Sequence, residues 1–180
     1  RVPVRCGPDI YDGEHGTLYV NLGAGRFTDA TLQSGILSTP PSYGMGTALV
    51  DVDLDGRLDI VVANDSYPAP NFLHLNQGGM HFVEAGVRRG AGLNAGGVDL
   101  SAMGVAVFDL DSDGWPDLGF TNILSQGNTL CRNLGEGRFE DIARQARWIG
   151  PSLDLTGWGL AVEDFDHDGA LDCLAANGHI

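Results

Sequence analysis

The sequence predicts an all-β fold built from repeated four-stranded antiparallel units. Three nine-residue windows share the pattern D-x-D-x-D-G-x-x-D and begin at residues 51, 109 and 164. Short apolar runs flank each window, and an Asn/Gly-rich hairpin pattern stands between successive windows. The chain also has 27 glycines among its 180 residues, which indicates many turns rather than long helices.

The first two predicted strands of each unit lie on either side of an acidic window. Each window is preceded by an apolar run that begins with a glycine five residues before the first Asp, and it is followed by a second apolar run. Runs of four to six apolar or β-branched residues bounded by turns are typical of strands. The six runs are 46–50, 59–64, 104–108, 117–122, 159–163 and 172–177.

The other two predicted strands of each unit form a hairpin. Two strand-like runs flank an Asn/Gly-rich turn, whose glycines can adopt the positive φ that such turns need. One helical stretch is also predicted, a short one from Asp141 to Trp148. The three hairpins are 18–27, 73–82 and 130–139.

Four-stranded antiparallel units that repeat every 55 to 58 residues are typical of β-propeller blades. We expect one propeller fragment over residues 1–180, with a half blade at 11–35, blades at 43–90 and 101–148, and a half blade at 156–180. Propellers close with about four to eight blades. Three blade-equivalents therefore predict a partial propeller that further blades or other subunits complete, because open sheet edges promote aggregation.

The acidic windows predict about three bound calcium ions. The first, third and fifth positions direct carboxylates at one point, the glycine at the sixth allows a sharp turn, the seventh offers its carbonyl, and the ninth Asp closes the shell. Oxygen ligands without His or Cys fit calcium better than zinc, and magnesium prefers fewer protein ligands. The predicted ligands are Asp51, Asp53, Asp55, Arg57, Asp59, Asp109, Asp111, Asp113, Trp115, Asp117, Asp164, Asp166, Asp168, Ala170 and Asp172.

An EF-hand or dockerin loop is the nearest alternative for these windows. Such loops need an acidic ligand at the twelfth position and a helix after it. The twelfth positions here are Val62, Phe120 and Ala175, and the residues around them are typical of strands. We therefore reject that alternative.

The charge of the chain excludes some partners. A formal charge of −14 disfavours nucleic acid and anionic membranes, and no run of about 18 apolar residues predicts membrane insertion. No positively charged leader precedes an apolar segment, so we expect a mature or trimmed fragment. Calcium sites with a Kd of about 10⁻⁴ M fill outside a cell and stay empty in the cytosol. We therefore expect an extracellular or periplasmic location.

The repeats resemble the FG-GAP and VCBS repeats of the integrin alpha-subunit propeller, in which the same nine-residue loop joins the first two strands of a blade and binds calcium. Three segments look closer to the cartilage acidic protein and ASPIC/UnbV-associated group: 2–8, 157–159 and 176–179. This resemblance implies a secreted adhesion or scaffold role without catalysis, with a protein or glycan ligand.

No nucleophile elbow, phosphate-binding glycine loop or zinc motif is present, so we expect no enzymatic activity. Two alternatives remain: a carbohydrate-binding lectin that stacks sugars on Trp115 or Trp158, or a non-catalytic support domain of a larger enzyme. Among the cysteines, Cys6 is the best disulfide candidate. Cys131 and Cys173 lie in strand-like runs and are expected to be buried.

Overall fold

The computed structural model of the chain describes residues 10–65 and 69–178. Within those ranges twelve strands form two two-stranded and two four-stranded sheets, all antiparallel, which confirms the predicted all-β, propeller-like architecture. The first sheet consists of β1 (Tyr19–Gly23) and β2 (Arg26–Asp29), and the fourth of β11 (Thr156–Glu163) and β12 (Asp172–Gly178). The second sheet consists of β3 (Tyr43–Val50), β4 (Asp59–Asp65), β5 (Phe72–Asn76) and β6 (Phe82–Glu84). The third consists of β7 (Ala102–Phe108), β8 (Asp117–Asn122), β9 (Thr129–Asn133) and β10 (Phe139–Asp141).

The two four-stranded sheets have the same topology. Each strand pairs with the next one along the chain, so the order is β3-β4-β5-β6 in one sheet and β7-β8-β9-β10 in the other. The registers are equivalent as well, since Val61 faces Leu73 in the second sheet and Gly119 faces Leu130 in the third. The sequence repeat is therefore a structural repeat.

The largest core lies between the second and third sheets. Apolar side chains from both sheets meet there, including Val61 and Leu73 from the second and Leu118 and Phe120 from the third, and each is at most 1% exposed. A smaller core around Phe108 joins the third sheet to the fourth. Successive sheets are thus held face to face by burial of apolar side chains.

The first strands of neighbouring sheets approach closely. Strand β3 packs against β7, and β7 packs against β11. A Cβ atom added at Gly46 would lie 2.8 Å from the carbonyl oxygen of Met103, and one added at Gly104 would lie 2.2 Å from that of Trp158. Glycine is required at these two positions because any side chain would collide with the neighbouring backbone.

The helices are short and lie between the sheets in sequence. They are α1 (Thr31–Ser34), α2 (Gly86–Arg89) and α3 (Ile149–Ser152), with a 3₁₀ turn at Ile36–Ser38. The helix predicted from Asp141 to Trp148 is wrong. That stretch ends β10 and continues as turns: one helical bond joins the Ala146 N–H to the Ile142 carbonyl, and the φ of 59° at Arg147 ends the turn there. No helix in the described ranges is long and apolar enough to cross a bilayer.

The cysteines differ in burial. Cys131 is fully buried on β9, as expected, and burial raises the pKa of its thiol. Cys173 is exposed on β12, so the expectation of burial is wrong there. Within the described residues β12 pairs with β11 alone, whereas β8, its equivalent in the third sheet, is flanked by a strand on each side. Cys6 lies outside the described residues, and its disulfide remains a prediction.

His74 gives the stability of the chain a predicted pH dependence. Its side chain is 2% exposed on β5, and burial lowers its pKa to about 4. Because the folded pKa lies below the unfolded value of about 6.5, this stability is complete above pH 6.5 and is lost as the pH falls towards 4. The free energy of unfolding should drop by about 2–3 kcal/mol between pH 7.5 and pH 4.5 from this residue alone.

The variant His74→Leu should lack that part of the pH dependence. Urea unfolding at pH 7.5 and pH 4.5 measures how much the free energy of unfolding changes with pH in the chain and in the variant. An equal change with pH in both proteins would mean that protonation of His74 does not lower the free energy of unfolding.

Candidate metal centres

Each acidic loop brings three carboxylates together. We number the positions of the first loop (51–59), second loop (109–117) and third loop (164–172) from 1 to 9. In every loop, one carboxylate oxygen from each of positions 1, 3 and 9 lies within 4.8 Å of the other two. The three clusters are Asp51, Asp53 and Asp59; Asp109, Asp111 and Asp117; and Asp164, Asp166 and Asp172.

The carboxylate at position 1 folds the loop around itself. It accepts the N–H groups of positions 5 and 6, at 3.0 and 2.8 Å in the first loop and at 3.1 and 2.9 Å in each of the others. The glycine at position 6 has a φ of 87 to 91° in all three loops, as predicted. Position 4 also has a positive φ, between 56 and 63°, although it is Leu54, Ser112 or His167. The sequence pattern does not reveal this second left-handed residue, since none of the three is glycine.

The carboxylate at position 9 ties the loop to the sheet. Asp59 accepts the N–H of Val52 at 3.0 Å and that of Asn76, in the hairpin, at 2.8 Å. Asp117 makes the equivalent pair of bonds at 2.8 and 2.7 Å. Both are 1% exposed, and burial raises the pKa of each carboxyl. Asp172 accepts one N–H, from Phe165 at 3.1 Å, and it is exposed. The third loop is therefore held less firmly than the other two.

The carboxylate at position 3 of the first loop has an unmatched oxygen. Asp53 Oδ1 is buried and has no hydrogen-bond partner within the described ranges. Burial first, and then the neighbouring charges of Asp55 and Asp51, raise the pKa of Asp53. A buried oxygen without a donor, crowded by like charges, fits a bound cation, which would supply the missing positive charge. The all-oxygen donor set fits a hard cation.

The aspartates predicted as ligands at position 5 lie outside these clusters. Asp55, Asp113 and Asp168 instead accept the N–H of position 7, at 2.9, 2.8 and 2.8 Å. Asp55 also forms a close ion pair with the guanidinium of Arg57. The carbonyls of position 7 and the carboxylates of position 5 stay predicted ligands, whereas positions 1, 3 and 9 are already assembled.

A buried asparagine links two loops. Asn133 is 1% exposed, and its Nδ2 donates to the carbonyls of Val52 in the first loop at 2.9 Å and Pro116 in the second at 3.0 Å. Its backbone N–H donates to Asp117. From the sequence, this asparagine is predicted only as a turn residue. The signal that could have revealed it is the recurrence of Asn at the same hairpin position, as Asn21, Asn76 and Asn133.

Replacing Asn133 by alanine should lower the free energy of unfolding by about 1–3 kcal/mol, because two loop carbonyls lose a buried donor. The matched control is Asn21→Ala. The Asn21 side chain accepts one exposed N–H, from Gly23, so its loss should cost much less. Urea unfolding measures both values. An equal loss for the two variants would show that the link between the loops carries no stability.

The three tryptophans have different surroundings. Trp148 packs against the core between the third and fourth sheets. Trp115 stands beside the hairpin turn at Gly135, where an added Cβ would lie 3.6 Å from its ring. Trp158 is 38% exposed on β11. A shared sugar-stacking platform is therefore not evident among them.

Repeated four-stranded sheets whose first two strands are joined by an acidic loop define a repeat protein of β-propeller blades. Comparison with protein families agrees: the model of the FG-GAP-like repeat matches residues 8–62, 51–120 and 109–175, which together cover most of the chain. The chain belongs to this family.

Similar proteins share the name cartilage acidic protein 1. The chain is 31% identical over 178 residues to the protein of Xenopus tropicalis, and 30% identical over 179 residues to those of Homo sapiens and Mus musculus. Each match covers 94% of this chain and 26% of the relative. The chain thus spans about a quarter of the length of these relatives.

Proposed function

We propose that the chain is an extracellular interaction or scaffold module in which a structural calcium ion occupies each of the three acidic loops. The observation that carries this proposal is the Asp triad that recurs in the same geometry between the first two strands of three successive sheets. Exposed acidic groups often cluster by chance, but three equivalent clusters on one repeated backbone do not arise from charge alone.

Calcium suits the chemistry of the loops. Two nearly fully buried carboxylates, Asp59 and Asp117, and the unmatched oxygen of Asp53 make the metal-free loops costly in electrostatic terms. When bound, the ion supplies positive charge between carboxylates that otherwise repel one another. The chain's own groups hold the loop in shape through the N–H bonds to positions 1 and 9.

The extracellular part of the proposal rests on ion availability and on the relatives. Free calcium outside cells is about 1 mM, which fills sites with a Kd of about 10⁻⁴ M. The relatives are named as acidic proteins of cartilage, and this chain carries a formal charge of −14. The ions would keep the loops rigid, and the module would bind a protein or glycan ligand through them. It would perform no catalysis.

Isothermal titration with calcium tests the metal proposal. We expect a stoichiometry near three, with weak competition by magnesium. The single variants Asp53→Asn, Asp111→Asn and Asp166→Asn should each remove one site, because each substitutes one position 3 carboxylate. The matched control is Asp154→Asn, an exposed aspartate outside the loops, which should keep all three sites. Calcium binding that is absent, or that the three loop variants leave unchanged, would falsify the proposal.

A further inference from the structure

One turn lies between the first and second acidic loops. It consists of residues 134–138, which join β9 to β10, and we call it the bridging turn. A Cβ atom added at Gly137 would lie 2.9 Å from the Val52 side chain in the first loop, and one added at Gly135 would lie 3.6 Å from the Trp115 ring in the second. The bridging turn therefore packs against both loops.

Three hydrogen bonds in series connect the position 9 carboxylates of these two loops. Asp59 accepts the Val52 N–H at 3.0 Å. The Val52 carbonyl accepts a bond from Asn133 Nδ2 at 2.9 Å, and the Asn133 backbone N–H donates to Asp117 at 2.7 Å. A displacement of either carboxylate therefore acts on the other through Val52 and Asn133.

The two linking residues are buried and hydrogen-bonded. Val52 is 0% exposed and Asn133 is 1% exposed. The Asn133 side chain also donates to the Pro116 carbonyl at 3.0 Å and accepts the Gly135 N–H at 3.0 Å. Both of its amide hydrogens are thus bonded to loop carbonyls, and loss of either bond would leave a buried acceptor unpaired. Because such bonds are costly to break, the link is stiff.

The link ends at the peptide group that carries Asp53. The Val52 carbonyl and the Asp53 N–H belong to the same planar unit, so Asn133 fixes the backbone from which the position 3 carboxylate extends. Asp53 Oδ1 is the buried oxygen without a hydrogen-bond partner in the described ranges. The bridging turn is held in addition by Arg89, whose Nη1 donates to the Glu136 carbonyl at 2.6 Å. The position of the unmatched oxygen thus depends on residues of the next repeat.

We propose that Asn133 and the bridging turn couple calcium binding in the first and second loops, so that an ion in either loop raises the affinity of the other. This inference rests on the proposed function. Binding in the second loop fixes Asp117, and through Asn133 it orders the peptide group between Val52 and Asp53 before the first loop binds its own ion. Because coupling is reciprocal, binding in the first loop raises the affinity of the second by the same factor.

Charge alone predicts the opposite sign. The second loop contains four aspartates, so it carries a charge of about −2 when a calcium ion is bound. The variant Asp111→Asn, without an ion, has three aspartates and carries about −3, which attracts cations to the first loop more strongly. A weaker first site in this variant therefore identifies the hydrogen-bonded link as the cause.

NMR titration of the 180-residue chain with calcium measures each site separately. The N–H groups of Gly56, Gly114 and Gly169 each donate to the position 1 carboxylate of their own loop, so their signals report its occupancy. In Asp111→Asn, the calcium concentration at the midpoint of the Gly56 signal should rise by about 2- to 12-fold. This range is the square root of a coupling factor of about 5–150, as two sites of similar affinity require. The Gly114 midpoint should rise by a similar factor in Asp53→Asn.

Variants of the link test which residue carries it. In an Asn133→Ala background, Asp111→Asn should no longer raise the Gly56 midpoint. The matched control is Asn76→Ala, because Asn76 occupies the same hairpin position and its Nδ2 donates to the Leu58 carbonyl in its own loop. This control should change the Gly56 midpoint itself and keep the shift that Asp111→Asn causes.

Two further variants complete the test. Arg89→Met loosens the bridging turn without changing Asn133, and it should also reduce the shift. Asp166→Asn removes the third site, which lies outside the link, and should leave the Gly56 midpoint unchanged. A Gly56 midpoint that stays constant or falls in Asp111→Asn, or a shift that survives Asn133→Ala, would overturn the coupling. The glycine signals of all three loops would still titrate in that case, whereas signals that do not respond to calcium in any loop would overturn the calcium proposal as well.

Discussion

Replacing Phe120 by alanine is expected to lower the free energy of unfolding by about 3–5 kcal/mol. Its ring is 0% exposed on β8, in the core that joins the second and third sheets. The substitution removes apolar contacts from both sheets, and the β-strands around it cannot collapse fully into the space left behind. A loss of this size is a large part of the about 5–15 kcal/mol that keeps a typical domain folded.

The matched control for this prediction is Phe27→Ala. Phe27 is 60% exposed on β2, so its truncation should change the free energy of unfolding by less than about 0.5 kcal/mol. Urea unfolding followed by far-ultraviolet circular dichroism measures both variants. Similar values for the two would mean that the second and third sheets are not held together by the core around Phe120.

The strands could be predicted because each one is marked by a local pattern that the sequence repeats. The apolar run 59–64 predicts a strand that the structure places at Asp59–Asp65, and the run 104–108 predicts one at Ala102–Phe108. The three copies strengthen each prediction, because an apolar run whose structure is ambiguous alone can be aligned with the equivalent runs of the other copies. Local patterns failed for the stretch from Asp141 to Trp148, which folds as turns although the equivalent stretches of the other copies contain the short helices Thr31–Ser34 and Gly86–Arg89.

The acidic clusters were predicted in part. Spacing alone indicates that positions 1, 3 and 9 converge, and the structure assembles them. Spacing does not show which carboxylate oxygens come close together, and so it gave position 5 the same standing as position 1. The bond from Asp55 to the N–H of Arg57 lies within one loop, whereas the link from Asn133 to Val52 joins two repeats and depends on how their sheets pack. Such contacts between repeats are absent from a pattern within one repeat.

Burial was the least predictable property, because it depends on neighbouring sheets. Leu174 and Val61 occupy equivalent positions in similar apolar runs, yet they are 62% and 1% exposed. The difference comes from the third sheet, which covers Val61, and not from the residues themselves. Cys173 likewise differs from its buried equivalent Leu118, whose strand is flanked on both sides, whereas β12 pairs with β11 alone within the described residues.

Calcium is expected to raise the free energy of unfolding by about 4 kcal/mol under the proposed function. At about 1 mM free ion and a Kd of about 10⁻⁴ M, each filled site adds about 1.4 kcal/mol, because the ion binds only the folded loops. Three ions would also reduce the formal charge from −14 to about −8, which weakens repulsion within the folded chain. For a chain of this size, the melting temperature should rise by about 10 °C.

Thermal melts in 1 mM calcium, in 1 mM magnesium and in excess chelator measure this effect. We expect the melting temperature to rise in calcium and not in magnesium. The variant Asp53→Asn should lose about a third of it. The third loop is the internal comparison: its Asp172 is exposed and accepts one backbone N–H, where Asp59 and Asp117 accept two each. We therefore expect Asp166→Asn to reduce the rise less than Asp53→Asn does. Equal melting temperatures in calcium and chelator would mean that the folded loops tolerate their crowded carboxylates without a cation, and the ions could not be structural.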